Sequence, residues 1–445
     1  MLRRAAAAAA TALVLAGGAS GETVARGVPD GLLALDRKGT PSVAFVHHST
    51  LWLATRGARG WTQTATATTP PGSSAVAFAI GATGPVMLVQ SGDDRTIQLV
   101  RRRSVGWQTI TLAKVRGTFR LGWPGLALDA KGNPVVSYSR WEGGSLKSRL
   151  MLARIDGKGR ITAKRITEEG FPKSLVPPPS VPVLFGGVAH VIESYGYRGV
   201  VGTFEWFPRP RTWLGLGLDA GVGDYPVGPV LAGLSPNGVL HATWTESLLS
   251  FDPEAAPVTL VERRHFADSR FVLDRALMSA LALPSTGPEV AANQWVGSYD
   301  FGSAGDANLW AGTIVRSGSK VGLDGWVSGF AVAPRGARDL LLGGAPGLRW
   351  YRLPRRLTTH VTLAAADDGN AVTLEGRVSG VSKGTVTIYR ERPGVARTVA
   401  GHATIAGGSF AFTDRAPTRP LVYRAVYVDP ATGVPYAALL SKPLF

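Results

Sequence analysis

The 445-residue chain contains no cysteine. That single absence removes disulfides, zinc–thiolate centres, cysteine nucleophiles and lipid attachment through a thiol. Its domains must therefore stand on their apolar cores, without the cross-links that small secreted modules use. Lysine is scarce as well. Only 10 of the 48 basic residues are Lys, against 31 acidic residues, so Arg carries most of the net charge of +17. Past the N-terminus no segment approaches the roughly 18 uninterrupted apolar residues that a membrane-spanning helix needs. Chemical motifs are missing too: there is no His-Glu-x-x-His, no oxygen-rich calcium loop and no Gly-x-Ser-x-Gly elbow. Neither a metal nor a cofactor is expected.

Glycine and proline are abundant, with 56 Gly and 30 Pro in a chain that is 45% hydrophobic. So many breakers interrupt any long helix. The apolar share argues against disorder, and Gly shows no three-residue collagen period. Short apolar runs between dense turns indicate an all-β chain.

The N-terminus reads Met1-Leu2-Arg3-Arg4, then Ala5 to Ala16 almost without a polar residue, then Gly17-Gly18-Ala19-Ser20. A basic start, an apolar run too short to span a bilayer and small residues after it make a secretory signal peptide. Residues 1–19 are assigned to it, with cleavage after Ala19 and with Ala16 or Ala25 as alternatives. The mature chain is expected to be extracellular, monomeric and without a membrane anchor. Its positive charge will draw it to anionic polymers. No nucleic-acid-binding fold is recognisable, so no specific nucleic-acid partner is expected.

A repeat dominates residues 28–356. An Ala/Leu run, a Gly-centred turn, a β-branched or aromatic run and one or two further strands recur. Gly31-Leu-Leu-Ala-Leu-Asp36 with its turn at Gly39, Gly125-Leu-Ala-Leu-Asp129 with Gly132, and Val230-Leu-Ala-Gly-Leu-Ser235 with Gly238 are the clearest copies. The turn glycines stand at 39, 84, 132, 187, 238, 287 and 336, spaced by 45 to 55 residues. A tight turn needing positive φ explains the glycine. Units of this length with three or four strands fit a seven-bladed β-propeller; a large β-sandwich or β-helix is the alternative. Within a unit, strand A is the innermost and strands B, C and D follow outward. Phe45, Tyr138 and Trp244 share one register on strand B, six residues after the turn Gly, and are expected in the core between blades. Trp61, Trp107 and Trp213 begin outer strands.

These units resemble the sialidase-like, or BNR-type, propellers of secreted bacterial proteins. Gly238-Val-Leu-His-Ala-Thr-Trp244 is similar to the Gly-x-x-His-x-x-Trp second strand of that group. The Asp box is absent, since Asp36 and Asp129 stand three residues before their Gly rather than two. No arginine triad can be assigned, so the resemblance implies the fold without the sialidase reaction. After Pro354 the rhythm changes to short alternating runs. Residues 357–445 are expected to form a separate small Ig-like β-sandwich of seven strands, able to fold alone. They are similar to the Ig-like modules appended to bacterial exported proteins.

In a propeller the B–C and D–A connections emerge on one face. Here the B–C connections hold Arg140 and Trp141, Tyr195, Tyr197 and Arg198, Glu246, and Tyr299 with Asp300; the D–A connections add Trp123, Asp224 and Tyr225. Aromatic surfaces mixed with directional polar groups suit a carbohydrate or peptide. The preferred reading is a secreted, noncatalytic binding or scaffold protein. Its partner would be an extracellular glycan, an anionic wall polymer or a protein ligand. The alternative is a glycan-active hydrolase or lyase of the same architecture, with carboxylates drawn from Glu193, Glu205, Glu246 and Asp300. No catalytic residue can be assigned.

Overall fold

The computed structural model describes residues 21–122, 124–142, 147–170, 180–185, 188–197, 200–209, 212–219, 224–226, 231–234, 240–248, 258–265, 271–280, 284–291, 294–300, 310–316, 319–332, 338–344, 347–353, 359–392, 395–415, 417 and 421–440. All regular structure among them is β, and every pairing is antiparallel. Consecutive strands build sheets over 32–68, 74–114, 119–170, 180–219, 224–280, 284–323 and 326–353, numbered here from first to last. The innermost strand of each sheet lies against the innermost strand of the next. That of the last sheet, Trp326–Val332, returns to Leu32–Leu35 of the first. The result is a β-propeller-like ring.

The last sheet draws only three strands from its own stretch of chain. Its fourth is Glu22–Arg26, paired with Gly347–Leu353 from Glu22↔Trp350 to Arg26↔Gly347. The ring thus starts ahead of Val28, where the repeat first becomes visible, because a lone closing strand carries no turn motif of its own. Side chains from the first sheet clamp it. Arg56 donates three hydrogen bonds of 2.7–3.2 Å to the Glu22 carboxylate, and Gln63 Nε2 donates to the Val24 carbonyl at 2.7 Å. The Arg56 guanidinium also lies 4.8 Å from the Trp350 ring centroid. Val24, Ala25 and Val28 are buried with Val43, Phe45, Leu341 and Leu348. Cleavage after Ala25 would sever this strand; cleavage after Ala16 or Ala19 leaves it whole.

The turn glycines behave as expected where they are described. Gly39, Gly84 and Gly132 have φ of 81°, 111° and 79° and connect strands A and B. Gly187, Gly238 and Gly336 lie outside the described residues. Gly287 is a correction. It sits inside the strand Pro284–Ala291, whose turn falls at 292–293. The ladder shifts register between Thr286 and Glu289, so this glycine marks an irregular pairing rather than the turn. Phe45 and Tyr138 are buried between sheets, as their shared register implied; the Trp244 side chain lies outside the described residues. Trp61, Trp107 and Trp213 all stand at the start of outer strands.

Seven strands follow between Val361 and Leu439, in the order Pro435–Leu439, Val422–Val428, Lys383–Arg392, Val395–Ala406, Ser409–Arg415, Ala371–Val378 and Val361–Asp367. They do not hang from the ring as a separate bead. Pro435–Leu439 pairs with Ser319–Leu323 at Leu323↔Tyr436, extending the sixth sheet into the module. One apolar core joins Val372, Ile388, Tyr423 and Tyr436 to Leu323, Leu340, Leu342, Tyr351 and Leu353 of the ring. Asp324 fixes the junction: its backbone N–H donates to the Pro435 carbonyl at 2.9 Å, and its carboxylate accepts from Arg397 at 2.5 and 2.9 Å. Arg424, itself buried, pairs with Glu391 at 2.5 Å and approaches Asp324 at 3.8 Å. Deeper in the module Arg390 makes two 2.6 Å bonds to Asp414, which also accepts from the Tyr423 hydroxyl.

Three outcomes follow from this architecture. Removing residues 1–27 should lower the thermal unfolding midpoint strongly or abolish a cooperative transition, whereas removing 1–19 should leave it unchanged; calorimetry of both truncations checks this. An isolated 357–445 fragment should unfold well below the same residues in the full chain, because its core faces lose their ring partners. In the full chain Asp324→Ala should cost about 1–3 kcal/mol in chemical denaturation, the range for losing hydrogen bonds to a charged group whose partner Arg397 is partly exposed.

Candidate functional site

Every strand B runs in the same direction from its A–B turn, so the far ends of these strands reach one face of the ring. The expected site residues sit there, although not on loops. Arg140 and Trp141 belong to the strand Pro134–Glu142, and Tyr195 and Tyr197 to Val188–Tyr197. Glu246 belongs to Leu240–Leu248, and Tyr299 and Asp300 to Gln294–Asp300. The loop assignment is corrected because the pairing runs further than the alternation of apolar residues suggests. In the third sheet Phe119–Leu121 pairs with Arg140–Glu142 while Gly125–Leu128 pairs with Pro134–Ser137. The innermost strand is thus split in two, with Gly122–Pro124 between the halves. The fifth sheet repeats the device: Asp224–Pro226 pairs with Glu246–Leu248, and Leu231–Leu234 with Leu240–Thr243. Asp224 and Tyr225 are therefore strand residues too. Trp123 and Arg198 lie outside the described residues, as do the side chains of Tyr195, Tyr197, Glu246, Tyr299 and Asp300.

The best-defined part of this face lies between the second and third sheets. Arg140 is half-buried, with its guanidinium 4.5 Å from the Phe119 ring centroid, a cation–π stack. Its Nε is enclosed yet has no hydrogen-bond partner. Trp141, half-buried, is its chain neighbour and is paired with Arg120. Beside them, buried Gln90 donates through Nε2 to Asp94 Oδ1 at 2.8 Å and to the Leu121 carbonyl at 2.9 Å. Asp94 adopts φ of 55° and its carbonyl accepts from the Leu121 N–H at 2.7 Å. Burial pushes the Asp94 carboxyl above its ordinary range, outweighing the bond from Gln90. These contacts fasten the split strand to the second sheet.

Between the third and fourth sheets lies a polar cluster in which sequence reasoning offered Glu193 only as a candidate catalytic carboxylate and gave the serines around it no role. Ser137, Ser139, Ser180 and Glu193 are all buried there. Ser180 and Ser137 hydroxyls lie 3.0 Å apart, and Ser139 Oγ donates to Glu193 Oε1 at 3.4 Å. A signal existed: Glu193 stands six residues after Gly187, the register that Phe45 and Tyr138 fill with buried aromatics. A carboxylate at a core register is an anomaly legible from the repeat alone. Among the described residues no group of three His, Asp or Glu is arranged to hold a metal ion.

No family model matches the chain, and no curated protein matches it either. Several solved structures are similar at low identity. A protein from Lactobacillus plantarum shares 12% identity at a TM-score of 0.39, covering 72% of this chain and 87% of its own. AofleA from Arthrobotrys oligospora shares 11% at 0.37, over 89% and 92%. The polysaccharide lyase Uly1 shares 10% at 0.41, over 87% and 90%.

The strand register of this face can be checked by stability. Phe45→Ala should cost about 3–5 kcal/mol through a core cavity, whereas Trp141→Ala, at the edge of the face, should cost clearly less. Equal losses in urea unfolding would mean that Trp141 is a core residue.

Proposed function

We propose that this chain is a secreted, noncatalytic binding protein, a seven-bladed β-propeller fused to an Ig-like sandwich, that holds a carbohydrate or wall polymer on the face formed by the far ends of its B strands. The observation that carries the reading is the Arg140 corner. The Arg140 guanidinium is stacked on Phe119, while Trp141, the next residue of the strand, stands on the other face of the sheet. Arg140 is half-buried, which leaves part of the side chain at the surface where a ligand oxygen can meet the guanidinium. Arg forks suit hydroxyl pairs and anionic groups, and the Trp141 indole offers a stacking surface. Tyr195, Tyr197, Glu246, Tyr299 and Asp300 stand at equivalent strand ends in the next three sheets, with Arg198 just beyond Tyr197, and extend the same mixture of aromatic and charged groups around the ring. Glu193 is a poor candidate for a catalytic carboxylate, being fully enclosed and accepting a hydrogen bond from Ser139. The Ig-like module would act as a rigid extension, since its core is continuous with that of the ring.

A panel of neutral and acidic polysaccharides tests the proposal by affinity and by product analysis on the same samples. Binding without turnover is expected, and Trp141→Ala or Tyr195→Ala should weaken it by about 1–3 kcal/mol while lowering stability clearly less than Phe45→Ala does. Release of shortened or unsaturated products would move the chain to the hydrolase or lyase alternative. Unchanged binding by both variants would place the ligand elsewhere.

A further inference from the structure

The opposite end of the ring, formed by the A–B and C–D turns, has a different chemistry. Three of these turns are the same five-residue structure. In Asp36–Thr40, Asp129–Asn133 and Asp156–Arg160 the Asp Oδ1 accepts from the backbone N–H groups two and four residues on, at 2.8–2.9 Å. A glycine with φ of 81°, 79° or 92° completes each one. Every copy raises an exposed lysine at its tip: Lys38, Lys131 and Lys158. The carboxylate of each aspartate stays ionised and offsets its lysine, so the net positive charge of this end comes from the exposed arginines beside them, Arg37, Arg59, Arg102, Arg103 and Arg160. The carboxylate of Asp156, held also by Arg160 at 2.7 Å, has its pKa lowered to about 2. These aspartates are the only acidic residues at this end of the first three sheets among the described residues.

Apolar side chains stand among these cations. Val105, at the tip of the turn Arg103–Gly106, is 91% exposed, Val188 is 43% exposed and Ile161 37%. They belong to the second, fourth and third sheets, which are neighbours. The turns that carry them are braced rather than loose. Buried Arg101 donates to the Asp156 carbonyl at 2.9 Å and to the Gln108 side chain at 2.9 Å, and Arg103 donates to the Gly157 carbonyl. Arg102 and Arg103 stay exposed beside Val105.

We propose that this end of the ring is a docking surface for an anionic lipid bilayer. Lysines and arginines at this end match phosphate headgroups, and the Val105 tip, with Val188 and Ile161 at neighbouring strand starts, offers apolar surface to the acyl boundary. A soluble polyanion would satisfy the cations but give the exposed apolar tips nothing to bury against, so the bilayer is favoured. This proposal does not depend on the ligand reading of the opposite face, and its variants leave Arg140 and Trp141 untouched.

The test is co-sedimentation of the mature chain with vesicles of phosphatidylcholine, alone or mixed with phosphatidylglycerol. Binding is expected only with the anionic lipid and should fall as salt is raised. The triple variant Lys38→Glu, Lys131→Glu, Lys158→Glu should weaken it by about tenfold or more. Val105→Asp should weaken it several-fold at unchanged net cation content of the turn lysines. Thermal unfolding of each variant shows that the fold is kept, and Val105→Ser provides a second apolar-loss variant if the aspartate is not tolerated. Absence of binding to anionic vesicles, equal binding to neutral ones, or a triple variant that binds like the parent overturns the proposal. So does a Val105 variant without effect alongside equally tight binding to free polyphosphate, which would make the surface a polyanion site.

Discussion

Ring closure is the constraint on which the rest depends. A ring of sheets has no free end only if its last sheet is joined to the first, and here Glu22–Arg26 does this by serving both. Its backbone completes the last sheet, while Glu22 and the Val24 carbonyl are held by Arg56 and Gln63 of the first. The Arg56–Glu22 pair is partly exposed, and such pairs contribute modestly by themselves. Its role is geometric: it seats a strand whose buried Val24 and Ala25 then supply the apolar contacts. Close approach matters here too, because a side chain at Gly21 would lie only 2.1 Å from the Tyr351 ring.

Closure also fixes the two ends of the ring as distinct surfaces. Strand direction alternates within each sheet, so A–B and C–D turns share one end and B–C and D–A connections the other. At the first end the connections are short, repeated and tied by aspartate–amide bonds. At the second end strand B runs on past the point where the innermost strand breaks, and that extension carries Arg140 and Trp141 to the rim. Split inner strands in the third and fifth sheets thus let strand B reach further on the second end than on the first.

The repeat was legible because its causes are local. A turn that needs positive φ selects Gly, a narrow wedge selects Ala and Leu, and a core register selects aromatics, so Gly39, Gly132, Phe45 and Tyr138 could be read from spacing alone. The closing strand was not legible, since its partner lies more than three hundred residues away and its five residues carry no turn. The split of the innermost strands was hidden for a related reason. Phe119–Leu121 is three residues long and looks like part of a connection until its pairing with Arg140–Glu142 is known. The identity of the candidate face could be inferred from topology, whereas the unmatched Nε of Arg140 depends on three-dimensional neighbours that no spacing encodes. Gly287 shows the opposite failure: a correct period led to the wrong glycine, because a bulge and a turn select the same residue.

The C-terminal strands show that a rhythm break need not be a boundary of the apolar core. Periodicity changes where the local pattern changes, but cooperativity follows the apolar core. That core runs from Tyr423 and Tyr436 through Leu323 to Leu340, Leu342 and Tyr351 of the last sheet. Tyr351 lies on the strand that pairs with Glu22–Arg26, so the module, the last sheet and the closing strand are in mechanical series. An exposed outer edge on the sixth sheet would be a template for unwanted pairing; Pro435–Leu439 covers part of it at Leu323, and Asp324 with Arg397 secures the corner. The segments that finish the ring, one from each end of the chain, therefore meet in the same quarter of the molecule. A disturbance at Asp324 should be felt at the closing strand sooner than at the second and third sheets, whose shared core contains none of that strand's residues.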